Sequence, residues 1–264
     1  MSDFLDVRQL TIIGSSSPLS FVTEGGGYWE KWNRYLAIDG KKAFHIGNIC
    51  GTCEFFFERL EGANRSIDPK EVAAALNGGL KHLGETLDKL KAIIPDGEYA
   101  VVLKRITPQL VKPSESADYF THEQVELWGI DSFWDLPHTP KTEYYRLKTK
   151  TLASKRALFE FLVPTFPHSW LDSDRVEEYS KALARGEEPT AVAISVLDVK
   201  GPADWEGEKE VEEHWVLANY LVDGHHKVYA AAKDIRPLTL ISFVATDKGI
   251  SSKEHIAETL DALK

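Results

Sequence analysis

The sequence predicts an α+β fold, a mixed sheet with packed helices. Short β-forming segments bounded by turn residues recur from residues 8–13 to residues 238–245, and a few stretches between them carry the three-and-four apolar spacing of a helix. The composition can fill a core: 43% of the 264 residues are hydrophobic and 27% charged, which excludes disorder as the main state. With 7 Trp, 9 Tyr and 12 Phe against one Met, that core is aromatic and stiff.

Residues 8–13 read as a strand ended by Gly14. Gly25-Gly26-Gly27 is a turn or a close backbone approach, and 28–38, with Tyr28, Trp29, Trp32 and Tyr35 among charges, receive no element. Asp39-Gly40 is a turn dipeptide, 43–49 are extended, and 54–60 read as a helix stopped near Gly62. The clearest helix is 69–93, with Asp68 as N-cap, Pro69 at N1 and Glu71 completing a capping box. Val72, Leu76, Leu80, Leu83, Leu87, Leu90 and Ile94 give it one apolar face, and Gly78-Gly79 weaken its middle by about 1 kcal/mol each. Residues 99–103, 144–148 and 158–163 are strands, while 107–142 are irregular, with a short helix near 122–128.

Pro164-Thr165-Phe166-Pro167-His168 has the composition of a boundary. It divides the chain into residues 1–167, an α+β region, and residues 168–264. The second part predicts a helix over 174–185 and strands over 191–197 and 214–222, joined by an acidic loop. A sharp turn at 223–226, a helix over 227–233, a strand over 238–245 and a closing helix over 252–263, N-capped by Ser251, follow.

A net charge of −10 argues against nucleic acid as a partner, since phosphate-backbone binding needs a basic face. The acidic start of the chain lacks the regions of a secretory signal, and no apolar stretch reaches the roughly 18 residues of a spanning helix. The expectation is a cytoplasmic protein with no membrane partner. Glu24-Gly25-Gly26-Gly27 lacks the Lys-Ser/Thr of a P-loop.

Two constellations carry chemistry. In the first, Asp223-Gly224-His225-His226-Lys227 opens a helix, where unpaired N–H groups and a partial positive charge favour an anion. Gly224 lets the backbone come close, and His225, His226 and Lys227 add donors that run against the macrodipole unless an anion is bound. The alternative is that the histidines cap the helix and pack a turn. Glu187-Glu188 are a candidate general base nearby.

The order helix, Gly186…Pro189-Thr190, strand, strand, Asp223-Gly224-His225-His226-Lys227, helix, strand resembles the ParB/sulfiredoxin fold over about residues 172–246. The resemblance implies a ParB/sulfiredoxin-like domain over 168–264 that binds ATP or ADP with Mg²⁺. The implied reaction is phosphoryl transfer to a small polar molecule, or nucleotide hydrolysis. It further implies Asp223 and His226 as catalytic candidates, with Gly224, His225, His226, Lys227 and Thr190 around the nucleotide. His225 stands where the sulfinate-reducing branch has its catalytic Cys. The DNA-partitioning branch is basic and continues into a helix-turn-helix, which this acidic chain does not match.

The second constellation is Cys50-Gly51-Thr52-Cys53, the only two cysteines of the chain, read at a strand–helix junction. A redox reading makes Cys50 the attacking, catalytic thiolate and Cys53 the resolving thiol, in weak resemblance to thioredoxin-type motifs. A metal reading gives zinc or iron to Cys50, Cys53 and His45, with His82, His122 or His138 completing the set. The remaining reading is packing. If the regions cooperate, the pair lies at the mouth of the phosphate site, with 107–142, including Trp128, Phe133 and Trp134, as wall or lid.

Overall fold

The structure, a computed structural model, describes residues 3–65, 67, 72–84, 86–202 and 210–264. In chain order it runs β1 (Phe4–Ile12), β2 (Leu19–Gly26), β3 (Trp29–Ile38), β4 (Lys41–Asn48), β5 (Glu58–Arg59), α1 (Ala73–Gly78) and α2 (Thr86–Leu90). Next come β6 (Gly97–Ile106), β7 (Gln109–Val111), α3 (Glu123–Trp128), β8 (Tyr144–Arg146), β9 (Lys150–Thr151) and β10 (Arg156–Pro164). The chain finishes with α4 (Ser173–Ala184), β11 (Thr190–Lys200), β12 (Glu213–Asp223), α5 (His225–Asp234), β13 (Leu238–Ala245) and α6 (Lys253–Leu263).

Among the described residues nine strands form one mixed sheet, in the order β1-β6-β13-β11-β12-β10-β8-β7 with β9 on β10. A second sheet has the order β2-β3-β4-β5. The central strands are largely apolar in both directions because both faces are covered. One face, with Val101, Ile194, Tyr220, Phe161 and Phe243, packs against Leu36, Phe44 and Ile46 of the small sheet and against Phe55 and Phe57. The other face divides: Ala193, Leu221 and Leu240 lie under α4 and α5, and Val102, Leu217 and Val244 lie under α6. Among the described residues no helix is long and apolar enough to cross a membrane.

The boundary expected at 164–168 falls inside the large sheet. β10, just before it, pairs in parallel with β12 after it, and strands from both sides of it mix across the sheet. A cut there would divide one hydrogen-bonded layer.

The expected helix over 69–93 is not continuous; its cap residues Asp68, Pro69 and Glu71 lie outside the described residues. α1 stops at Gly79, whose φ of +82° suits glycine and where a Cβ would stand 2.3 Å from the Glu188 carbonyl oxygen. Beyond it, the Leu80 N–H goes to Thr190 Oγ1 and the Leu83 N–H to Asp6 Oδ2, rather than to helix carbonyls. The apolar pattern still marked the core, since Val72, Leu76, Leu83, Leu90 and Ile94 are buried.

Residues 54–60 are not a helix either. Glu58 and Arg59 pair with His45 and Phe44 of β4, and the three phenylalanines alternate as in a strand. Phe55 and Phe57 enter the aromatic core beside Phe120, and Phe56 faces His45 and His138 on the other side. Residues 28–38 supply β3. The turn expected over 223–226 shortens to Gly224, because Asp223 ends β12 and His225 already begins α5. At the last helix the N-cap is Ser252, one residue later than expected, and His255 completes its capping box.

Candidate functional site

The site begins where β12 turns into α5. Gly224 sits at φ +100° and ψ 21°, a left-handed conformation that favours glycine. A Cβ there would stand 2.8 Å from the Ala191 Cβ. The close approach that requires a glycine is therefore to β11, not to a ligand.

One residue of turn leaves α5 without a side-chain cap. The N–H groups of His225, His226 and Lys227 head a ten-residue helix with its partial positive charge. These three residues border a cavity of about 360 Å³, walled also by Asp223, Phe166, and Arg175 and Tyr179 of α4. Asp223 is the only carboxylate among its described lining residues.

Each side chain of the turn has an assignable task. His225 is buried, and its Nε2 accepts the Thr165 N–H at 3.1 Å. The acceptor nitrogen carries no proton, so the neutral ring is protonated at Nδ1. Burial, with His226 and His168 nearby, holds its pKa well below the usual histidine value. The Phe166 ring stacks on it at 3.7 Å. His226, half-buried, accepts the N–H of Asp172, the N-cap of α4, at 3.0 Å through Nε2. Burial and Arg175 lower its pKa as well. The two histidines thus fasten residues 165–172 to the start of α5 and keep their Nδ1 protons for other partners.

Lys227 does not reach out as a phosphate ligand. Its buried ammonium donates to the Thr190 carbonyl at 3.0 Å and to Asp223 Oδ2 at 3.2 Å. Burial lowers its pKa and Asp223 opposes that shift. Thr190 lies behind the cavity; its hydroxyl accepts the Leu80 N–H and contacts Thr239 Oγ1 at 2.5 Å. Glu188 is held by Arg105 at 2.8 Å through both oxygens, and Glu187 by Arg185. Arg175 escaped the sequence reading. Its position in the first turn of α4, against the helix dipole, was the available signal.

The cysteines lie elsewhere. Cys50 and Cys53 follow β4 on a loop whose Thr52 carbonyl accepts the Trp128 indole N–H at 3.0 Å, and whose Gly51 carbonyl accepts the Gly201 N–H. Hydrogen bonds from Cys53 and Thr52 outweigh burial and hold the Cys50 thiol below its ordinary value. Burial and the neighbouring Cys50 push Cys53 up to about 12. His45 lies between the rings of Tyr35 and Phe56, and burial draws it down to about 4. Among the described residues no group of three His, Cys, Asp or Glu is placed to hold a metal ion, and His45, Cys50 and Cys53 form no such group.

His45 and Cys53 instead border a second cavity of about 940 Å³, with Trp134 and the Glu54–His138 pair. Phe166 lines the first cavity and Pro167 the second. The two sites back onto one connection and are not a single cleft; of the stretch 107–142, residues 134–142 wall the cysteine-side cavity, while Thr107 and Gln109 line a different one.

No family model, no curated protein and no solved structure matches the chain.

Proposed function

We propose that the cavity at the start of α5 binds the phosphates of a nucleotide, ATP or ADP with Mg²⁺, and serves phosphoryl transfer to a small polar acceptor or nucleotide hydrolysis. The observation that carries this reading is the uncapped N-terminus of α5 opening on a cavity shared with Arg175. Phosphate oxygens accept the N–H groups of residues 225–227, and the Arg175 guanidinium adds charge. The lining fits a magnesium nucleotide, because Mg²⁺ takes one or two carboxylates and otherwise phosphate and water oxygens. Asp223 is that carboxylate, with Oδ2 fixed by Lys227. His226 donates from Nδ1, and Lys227 is a positioning residue. The order α4, β11, β12, α5, β13 accords with a ParB/sulfiredoxin-like arrangement. Calorimetry with ATP, ADP and CTP in Mg²⁺ tests the reading. One-to-one binding of at least one is expected; no heat and no thermal shift with any of them overturns it.

A second reading, thiol–disulfide exchange at Cys50 and Cys53, is favoured by the opposite shifts of two neighbouring thiols. Cys50 would attack and Cys53 would resolve.

A further inference from the structure

A stripe of buried polar side chains crosses the large sheet on its helix-covered face. Lys104 of β6, Ser242 of β13, Ser195 of β11, Asn219 of β12 and Glu160 of β10 occupy five consecutive strands and are each at most 4% exposed. Ser195 and Ser242 donate to Asn219 Oδ1 at 2.7 and 2.8 Å. The Asn219 amide donates to Glu160 Oε1 at 3.2 Å, and the Lys104 ammonium closes the chain on the same oxygen. The stripe runs between the apolar cluster under α4 and α5 and the one under α6.

Sheet stability does not call for such a stripe. A buried ion pair is commonly no better than apolar residues of equal volume, and often worse. Its Lys104–Glu160 end opens on a cavity of about 300 Å³, at the lower end of the roughly 300–1,000 Å³ of small-molecule pockets. Among its described lining residues five are Lys or Arg and two are acidic. Arg105 and Arg146 are matched by Glu188 and Glu123. Lys148 and Lys150 form no salt bridge among the described residues; Asp3 of the same lining acts on Lys150 from a distance, and Lys150 donates to the Ala262 carbonyl at the end of α6.

We propose that Lys104 is a nucleophilic amine that forms a Schiff base with the carbonyl group of a small anionic molecule held in this cavity, a 2-oxo acid or a phosphorylated aldehyde. Burial and the nearby Lys150 draw the Lys104 amine down to about 7, and contact with Glu160 acts in the opposite direction. Glu160 accepts the ammonium proton, which frees the nitrogen lone pair. That pair adds to the carbonyl carbon, forming the C–N bond as the carbonyl π pair moves to oxygen, and one of the two protons left on the nitrogen passes to that oxygen to give the neutral carbinolamine. Glu160 then protonates the carbinolamine hydroxyl, which leaves as water, and the nitrogen lone pair completes the C=N bond. Lys148 and Lys150 face the carboxylate or phosphate of the same molecule.

Pyruvate and pyridoxal 5′-phosphate, each with sodium cyanoborohydride as hydride donor, are the probes, and peptide mass spectrometry of the full chain is the readout. One reduced adduct per chain on Lys104 is expected, at least tenfold above any other lysine. Glu160→Gln keeps the amine and slows trapping about a hundredfold, the usual contribution of a positioned acid–base group. In Lys104→Met/Glu160→Leu, whose buried pair is apolar, the dominant adduct disappears from the folded protein. Adducts spread over surface lysines with Lys104 unmodified overturn the proposal, and so does an unchanged trapping rate in folded Glu160→Gln.

Discussion

The Lys227 ammonium stands 3.2 Å from the Asp223 carboxylate, one helical turn back across Gly224. The pair joins the last residue of a central strand to the first turn of a helix, and the Thr190 carbonyl anchors it to β11. A lysine that looked in sequence like a phosphate ligand is spent instead on holding the carboxylate beside the cavity.

Lys227→Met leaves the Asp223 carboxylate without its partner and the Thr190 carbonyl without its donor. A loss of roughly 2 kcal/mol, the scale of a charge-assisted hydrogen bond, is expected in urea unfolding. Asp223→Asn keeps a hydrogen-bond acceptor there, so its stability changes by less while Mg²⁺-dependent nucleotide binding falls. An unchanged Mg²⁺ dependence in Asp223→Asn would remove Asp223 from the site.

Gly224→Ala combines a positive φ with a Cβ driven against Ala191. Strain and overpacking together cost about 2–4 kcal/mol, visible as a lower Tm. A Tm equal to wild type would show that the turn relaxes freely.

Acid sensitivity should begin near neutrality. His214 and His225 are buried and neutral, with His214 drawn by burial to about 3 and His225 well below its ordinary value. The unfolded chain protonates both near 6.5, while the folded chain does not. Their stabilisation is thus complete above 6.5 and falls as pH drops toward the folded values. Each contributes a slope of about 1.4 kcal/mol per pH unit inside that window. His225→Gln, whose amide oxygen can accept the Thr165 N–H, should flatten the urea midpoint between pH 6.5 and 5. An unaltered slope would mean that His225 is charged in the folded protein.

The thiols should react separately. Iodoacetamide at pH 8 is expected to label Cys50 rapidly and Cys53 only on unfolding, because Cys50 is lowered and Cys53 raised to about 12. Cys50→Ser should leave nucleotide affinity unchanged, since the two sites open on different cavities. A tenfold loss of affinity in Cys50→Ser would rejoin them.

The legible parts of the chain were those where local pattern and tertiary context agree. The apolar runs of β11, β12 and β13 and the Asp172-capped α4 are of this kind, and the lining of the first cavity contains all five residues of the Asp223–Lys227 motif. Residues 69–93 misled because Thr190 and Asp6 take N–H groups that an isolated helix would satisfy itself. Phe55-Phe56-Phe57 misled because a run of aromatics does not reveal which side of the chain each ring takes. Arg175 reaches the cavity from another element. Lys104 and Glu160 lie four strands apart, about 19 Å in a flat sheet at roughly 4.8 Å per strand. They meet because the sheet curls, and no sequence spacing records that.

NMR reads the three backbone N–H groups at the start of α5 directly. In a titration of isotope-labelled protein with ADP and Mg²⁺, the amide resonances of His225, His226 and Lys227 should show the largest downfield shifts in the chain. Arg175→Ala should weaken the midpoint at least about tenfold, the loss of one charge-assisted contact. If ADP binds and those three amides do not move, or if saturating ADP moves none, the α5 N-terminus is not a phosphate site.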